Sequence, residues 1–142
     1  MKWILAVVAV VALVVLGFAL WVRLAPVDTA RWHVGAVQEG VGHMPRANGH
    51  LWRGEIAGPD AMARVDAVIQ GTPRTKVIAG SVQSGMVTYQ TRSALWGFPD
   101  YTTLRDAEGL IEINSRLRFG QSDLGVNRAR IEGWLEALGQ GG

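Results

Sequence analysis

Two stretches of this chain gather the side chains that chemistry would need. The first, Thr91-Arg92-Ser93, leads into the corner Gly97-Phe98-Pro99-Asp100; the second is Arg118-Phe119-Gly120-Gln121-Ser122-Asp123-Leu124-Gly125-Val126-Asn127-Arg128. The second runs from a strand pattern into a helix start, where unpaired backbone N–H groups and the positive end of the helix dipole favour an anion or carboxylate. The candidate ligand-binding residues are therefore Arg92, Asp100, Arg118, Ser122, Asp123, Asn127 and Arg128. Guanidiniums suit bidentate contact with such a group. The same residue types also build a plain structural corner, with Asp123 capping the helix and Arg118 or Arg128 paired to Asp100 or Asp123. A third use sets Asp100 and Asp123 as acid and base beside Arg118, an enzyme of a type that no motif specifies. The sequence holds no Gly-x-Ser-x-Gly elbow and no phosphate-loop pattern. With no Cys, thiolate nucleophiles, disulfides and zinc–thiolate sites are also excluded. His33, His43 and His50 fall in one irregular segment, without helical i,i+4 pairing or a carboxylate at ligand spacing, so no metal and no other cofactor is expected.

The elements that must position these residues begin with a membrane anchor. Residues 3–22 are all apolar or Gly, a run of 20 flanked by Lys2 and Arg23, with Trp3 and Trp21 near its ends. At about 1.5 Å per residue it spans roughly the 30 Å hydrocarbon core of a bilayer, and indoles favour the two interfaces. Residues 1–23 are read as a single-pass transmembrane anchor with its flanks, touching the lipid bilayer through residues 3–22. A cleaved signal peptide fits less well, because the run exceeds the usual signal core of about 7–15 residues. Lys2 and the terminal amine stand against Arg23 and Arg31, so charge alone does not choose an orientation. Ala6, Ala9, Ala12 and Gly17 offer a small-residue face by which the chain would serve as a structural subunit of a membrane complex.

All 12 acidic residues lie beyond Arg23, and once Lys2 and Arg23 are set aside the 14 cations leave an equal number there. The folded part is thus formally neutral and has no surplus charge with which to bind nucleic acid. Residues 24–57 hold two prolines and all three histidines without a helical or alternating period, and are expected to be an irregular tether or a segment wrapped on the fold. Trp32 and Trp52 within it favour wrapping over free disorder.

Residues 58–142 form the expected domain. A helix starts at Pro59 with Met62, Val65, Val68 and Ile69 on one face and stops at Gly71 and Pro73. Strands follow at about 75–82, 86–95, 101–105 and 110–119, separated by short Gly- and Asp-containing turns, and a last helix runs from Ser122 or Asp123 to about Leu138. Arg128 and Glu132 make an i,i+4 pair on its outer face. This predicts an α+β fold in two layers: an antiparallel four-stranded meander with a helix before and a helix after it, both on the apolar face. Alternation in the last strand predicts Ile113 and Leu117 buried, with Glu112 and Arg116 exposed. The meander also puts the corner after the second strand at the same end as that after the fourth, so Arg92, Arg118 and Asp123 are expected near one another, with Asp100 and Asp123 holding Arg118.

Ser122-Asp-Leu-Gly-Val-Asn-Arg-x-Arg130, preceded by Arg118-x-Gly120 and by Thr91-Arg-Ser-x-Leu-x-Gly-Phe-Pro-Asp100, resembles the Domain of Unknown Function 1499 family of bacteria and plants, over roughly residues 58–138. The chain departs from that family's pattern at Asn114 and Leu117, where Arg and Ser are expected, and these positions are left out of the candidate site. The resemblance implies no activity. It does imply an extracytoplasmic domain, because plant relatives are associated with the thylakoid lumen. The expectation is a membrane-anchored, non-catalytic accessory module in the plasma or inner membrane of a bacterium. Its partner would be a small anionic molecule, a lipid or a membrane protein.

Overall fold

The apolar run lies within one helix, α1 (Lys2–Leu24), in a computed structural model that describes residues 1–140. Its most apolar window has a mean hydropathy of 3.0 and none of that window is buried, so α1 is long and apolar enough to cross a membrane. It meets the rest of the molecule through its C-terminal half: Phe18 packs edge-on to Phe98, Trp21 packs on Phe119, and Val22 is buried.

A short helix α2 (Thr29–Trp32), capped by the Asp28 carboxylate, precedes two strands, β1 (Gly42–Arg46) and β2 (Gly49–Gly54). Then come α3 (Ala61–Gln70), β3 (Thr75–Ser81), β4 (Met86–Arg92), β5 (Pro99–Ala107), β6 (Leu110–Leu117) and α4 (Val126–Ala137). The strands make one antiparallel sheet in the order β1-β2-β6-β5-β4-β3. The meander from β3 to β6, with a helix on either side in sequence, matches the expectation, but the sheet has six strands among the described residues rather than four. The extra hairpin comes from the segment expected to be irregular, so the folded unit begins well before residue 58. Its signal was weak for two reasons. Pro45 sits in an edge strand, where a missing N–H does no harm, and β2 is buried along its whole length, so its sequence does not alternate.

One face of the sheet carries the apolar core. Val65 and Ile69 of α3 and Ile131, Trp134 and Leu135 of α4 pack on Trp52, Tyr89, Leu104 and Ile113. Fully burying an aliphatic side chain of this size is worth about 1.5–3 kcal/mol, so this face supplies most of the apolar stabilisation.

The opposite face overturns the exposure expected for β6. Ile113 is buried and Leu117 only partly so, whereas Glu112 and Arg116 are 0% and 8% exposed. Residues 25–40 cross this face as a strap, making a third layer. Trp32 stacks on Tyr101 with ring centres 4.4 Å apart, and its carbonyl accepts from the Thr103 hydroxyl and from Arg116 Nη2, each at 2.9 Å. The Ala36 N–H donates to Glu112 at 2.8 Å, and Arg53 donates to the carbonyls of Gln38 (2.9 Å) and Gly40 (2.8 Å). Glu112 also accepts from Arg53 and from Arg105. Burial pushes the Glu112 carboxyl up, but Arg105, the Ala36 N–H and Arg53 outweigh it and hold the group below the ordinary carboxylate range. Gly35 lets the strap lie this close, since a Cβ there would fall 2.6 Å from the Arg105 guanidinium carbon.

Candidate functional site

β4 ends at Arg92, β5 begins at Pro99 and β6 ends at Leu117, so both polar stretches lie at one end of the sheet. The C-terminal end of α1 reaches the same end, and there the candidate residues divide between the two faces.

On the strap face, Arg92 Nη1 donates to the carbonyls of Gly97 (2.7 Å) and Val22 (3.3 Å), and Nη2 to that of Arg23 (3.1 Å). The last carbonyls of a helix have no partner inside it, and a cation there also suits the negative end of the helix dipole. Arg92 thus closes the end of α1. Arg118 takes the chain a little further on: Nη2 donates to the Pro26 carbonyl at 2.9 Å and Nη1 to the Tyr101 hydroxyl at 3.3 Å, with the guanidinium over the Phe119 ring. Gly97 adopts φ +72°, and a Cβ there would meet the Arg23 guanidinium at 3.1 Å, so both backbone and space call for Gly.

On the helix face, the Asp123 carboxylate accepts the N–H groups of Gly125 (3.0 Å) and Asn127 (2.9 Å) at the start of α4, and Ser122 Oγ accepts from Leu124 N–H at 3.3 Å. Partial burial opposes ionisation of Asp123, but those N–H groups prevail and hold it below the usual carboxylate range. Asp100 is bound by Arg130 Nη1 at 3.1 Å, and the same nitrogen donates to Asn127 Oδ1 at 2.7 Å. Burial lifts the Asp100 carboxyl above its ordinary value against the pull of Arg130. Arg128 pairs with Glu132 at 2.7 Å on the exposed side of α4, as its spacing predicts.

The expected clasp of Arg118 by Asp100 and Asp123 is therefore not formed. Asp100 takes Arg130 instead, and Arg118 reaches across to the strap. By alternation Arg118 falls on the face of Arg116, away from α4, which is why two residues close in sequence part company. Arg130 went unselected although it lies three residues after Asn127, the spacing that puts two side chains on one helix face.

Beside Arg92 opens a cleft of about 420 Å³ whose lining includes Arg23, Arg74, Lys76 and Arg92, with no acidic side chain. Register sets Arg74 against Arg92: the Arg92 N–H donates to the Arg74 carbonyl and Arg74 Nε to the Arg92 carbonyl, both at 3.0 Å. Like charges facing each other across strands repel, and none of these four cations has an ion-pair partner among the described residues. Sequence reading missed Arg23, Arg74 and Lys76 as site residues, because β3–β4 pairing brings Arg74 and Lys76 to Arg92 and the packing of the end of α1 brings Arg23. Across the 93–98 loop lies a second hollow of about 360 Å³, lined wholly by Val14, Val15, Phe18, Trp96 and Phe98.

The histidines are scattered more widely. His33 Nδ1 lies 2.9 Å from the Thr88 hydroxyl, whereas His43 Nδ1 and His50 Nε2 meet at 2.9 Å on the β1–β2 hairpin. Burial, and then His43, lower the pKa of His50. Among the described residues no three His, Asp or Glu side chains converge as metal ligands.

The model of the family described as Protein of unknown function (DUF1499) matches residues 45–138. The chain belongs to this family. The DUF1499 match takes in β2 through α4 and both arginine-bearing motifs, and it starts ahead of residue 58, consistent with β2 being an integral strand. The carbonyls that Arg92 and Arg118 hold, at Val22, Arg23 and Pro26, belong to the part of the chain outside the match. No curated protein and no solved structure matches this DUF1499 chain.

Proposed function

We propose that this chain is a single-pass membrane protein whose domain is held against the bilayer and acts as a non-catalytic binding module for an anionic group. The observation that carries this reading is the cleft of Arg23, Arg74, Lys76 and Arg92, four cations with no acid in the lining, at the end of the sheet where α1 arrives. Gathering like charges works against folding, and an arriving anion relieves that repulsion. Of the candidate residues only Arg92 lines the cleft, and the roles of the others support a structural part over a reactive one. Arg92 and Arg118 donate to backbone carbonyls, Asp123 accepts backbone N–H groups and Asp100 is tied to Arg130, so each holds a loop or helix end in place.

In this reading α1 spans the bilayer, with the amino terminus in the cytoplasm and the domain outside it. The orientation rests on the resemblance to lumenal relatives. Protease added to spheroplasts should digest the domain, and protection until lysis would overturn the orientation. Binding is tested on the full chain in neutral detergent. Inorganic phosphate should raise the melting temperature relative to chloride at equal ionic strength, since a ligand at ten times its Kd stabilises by about 1.4 kcal/mol. Lys76→Glu should abolish the rise. An equal response to both salts would overturn the binding reading.

A further inference from the structure

We infer that the anionic group is the headgroup of a membrane phospholipid, its phosphate in the cationic cleft and an acyl chain in the apolar hollow across the 93–98 loop; this rests on the binding role proposed above. The two cavities share a wall. Gly97 lines the cleft, and its neighbours Trp96 and Phe98 line the hollow. A ligand bridging them must be charged at one end and apolar at the other.

Depth along α1 separates a lipid from a soluble anion. Arg23 is the first charge after the apolar run and therefore marks the headgroup level once α1 spans the bilayer. Val14 and Val15 lie nine and eight residues earlier, roughly 12–13 Å deeper at the helical rise. Trp96 and Phe98, which share the hollow with them, are thereby carried into the hydrocarbon. Exposure in the same loop agrees: Leu95 is 77% and Trp96 42% exposed, an arrangement suited to lipid contact. On the other side of the loop, Arg74, just before β3, and Lys76 within it stand with Arg23 and Arg92. Basic side chains at this level attract anionic lipids in preference to zwitterionic ones.

Native mass spectrometry of the full chain released from nanodiscs of equal phosphatidylglycerol and phosphatidylcholine tests the inference. One phosphatidylglycerol per chain should be retained, about tenfold over phosphatidylcholine. Lys76→Glu, at an exposed side chain with no hydrogen bond among the described residues, should bring the two lipids level. Trp96→Ala should lower lipid retention several-fold while leaving the melting-temperature rise with inorganic phosphate intact. Melting curves establish that both variants are folded. Equal retention of the two lipids by the unaltered chain would overturn the headgroup assignment, and retention unaffected by Trp96→Ala would overturn the acyl-chain assignment. A phosphate response without any retained phosphatidylglycerol would overturn the lipid and leave the binding role standing. No response to either would remove both.

Discussion

The two faces of the central sheet are covered by different means. On one, α3 and α4 lay Val65, Ile69, Ile131 and Trp134 on apolar strand residues. On the other, residues 25–40 lie on a polar surface and bury it through the Trp32 carbonyl, the Ala36 N–H, and Glu112 with its two arginines. Apolar cover is tolerant of small shifts, because dispersion and hydration scale with area. Polar cover is not, since every buried donor and acceptor must find its partner or forfeit its hydration. A strap of little regular structure can therefore hold as firmly as two helices, provided its few contacts are all made.

The largest effect expected from this contrast is at Glu112. Glu112→Ala leaves the Arg53 and Arg105 guanidiniums without their carboxylate and should lower stability by about 3–5 kcal/mol in urea unfolding. That falls within the range of about 2–5 kcal/mol for Ile113→Ala on the helix side. A loss under about 0.5 kcal/mol, the usual surface value, would break the comparison.

The same carboxylate predicts a pH dependence. Its pKa in the fold lies below the unfolded value of 4.5, so the unfolded chain binds the proton more readily. The stability it contributes is present above about pH 4.5 and is lost as pH falls through the lowered folded value. Urea midpoints measured from pH 6 downward should fall more steeply for the unaltered chain than for Glu112→Gln. Asp100, whose pKa is raised, acts with the opposite sign in the same acid window, so the difference between the two chains is the quantity to read.

Arg118→Ala should cost less, about 1–2 kcal/mol, because it removes hydrogen bonds from a charged donor at a partly exposed site. It should also loosen the start of the strap, read as faster amide exchange around residues 25–33. Arg128→Ala stands at the bottom of the series. Its pair with Glu132 is exposed on α4, and the change should stay within about 0.5 kcal/mol in the same urea assay. A larger loss would mean that the outer side of α4 is covered.

Much of this was legible in the residues. Apolar spacing marked α1, α3 and α4, and Gly-containing turns marked the meander, because those signals are local. Alternation in β6 correctly separated Ile113 from Glu112, yet it reports only which residues share a face. Whether the polar face is wet depends on what crosses it, and the strap carries no period that would announce it. Pro45 and the fully buried β2 hid the first hairpin for similar reasons. At the site, the motif spacing brought Arg92, Asp100, Arg118 and Asp123 to one end of the sheet. It did not assign partners, since Arg130 for Asp100 and the strap carbonyls for Arg118 depend on which face each side chain takes.

The strap also dictates an order of events during synthesis. Its partners are far ahead of it in the chain: Trp32 is tied to Arg116 across 84 residues and Pro26 to Arg118 across 92. Closing a loop of about 90 residues costs roughly 1.5 kcal/mol more entropy than closing one of about 15, and contacts so distant in sequence slow folding. The strap leaves the ribosome before its partners and has nowhere to dock until β5 and β6 have been made. For that interval Arg53 has no carboxylate to pair with and Trp32 is uncovered beside α1. The last step of folding is thus the landing of a segment made well before its partners, and a chain stalled before β6 exposes the indole that the finished protein hides.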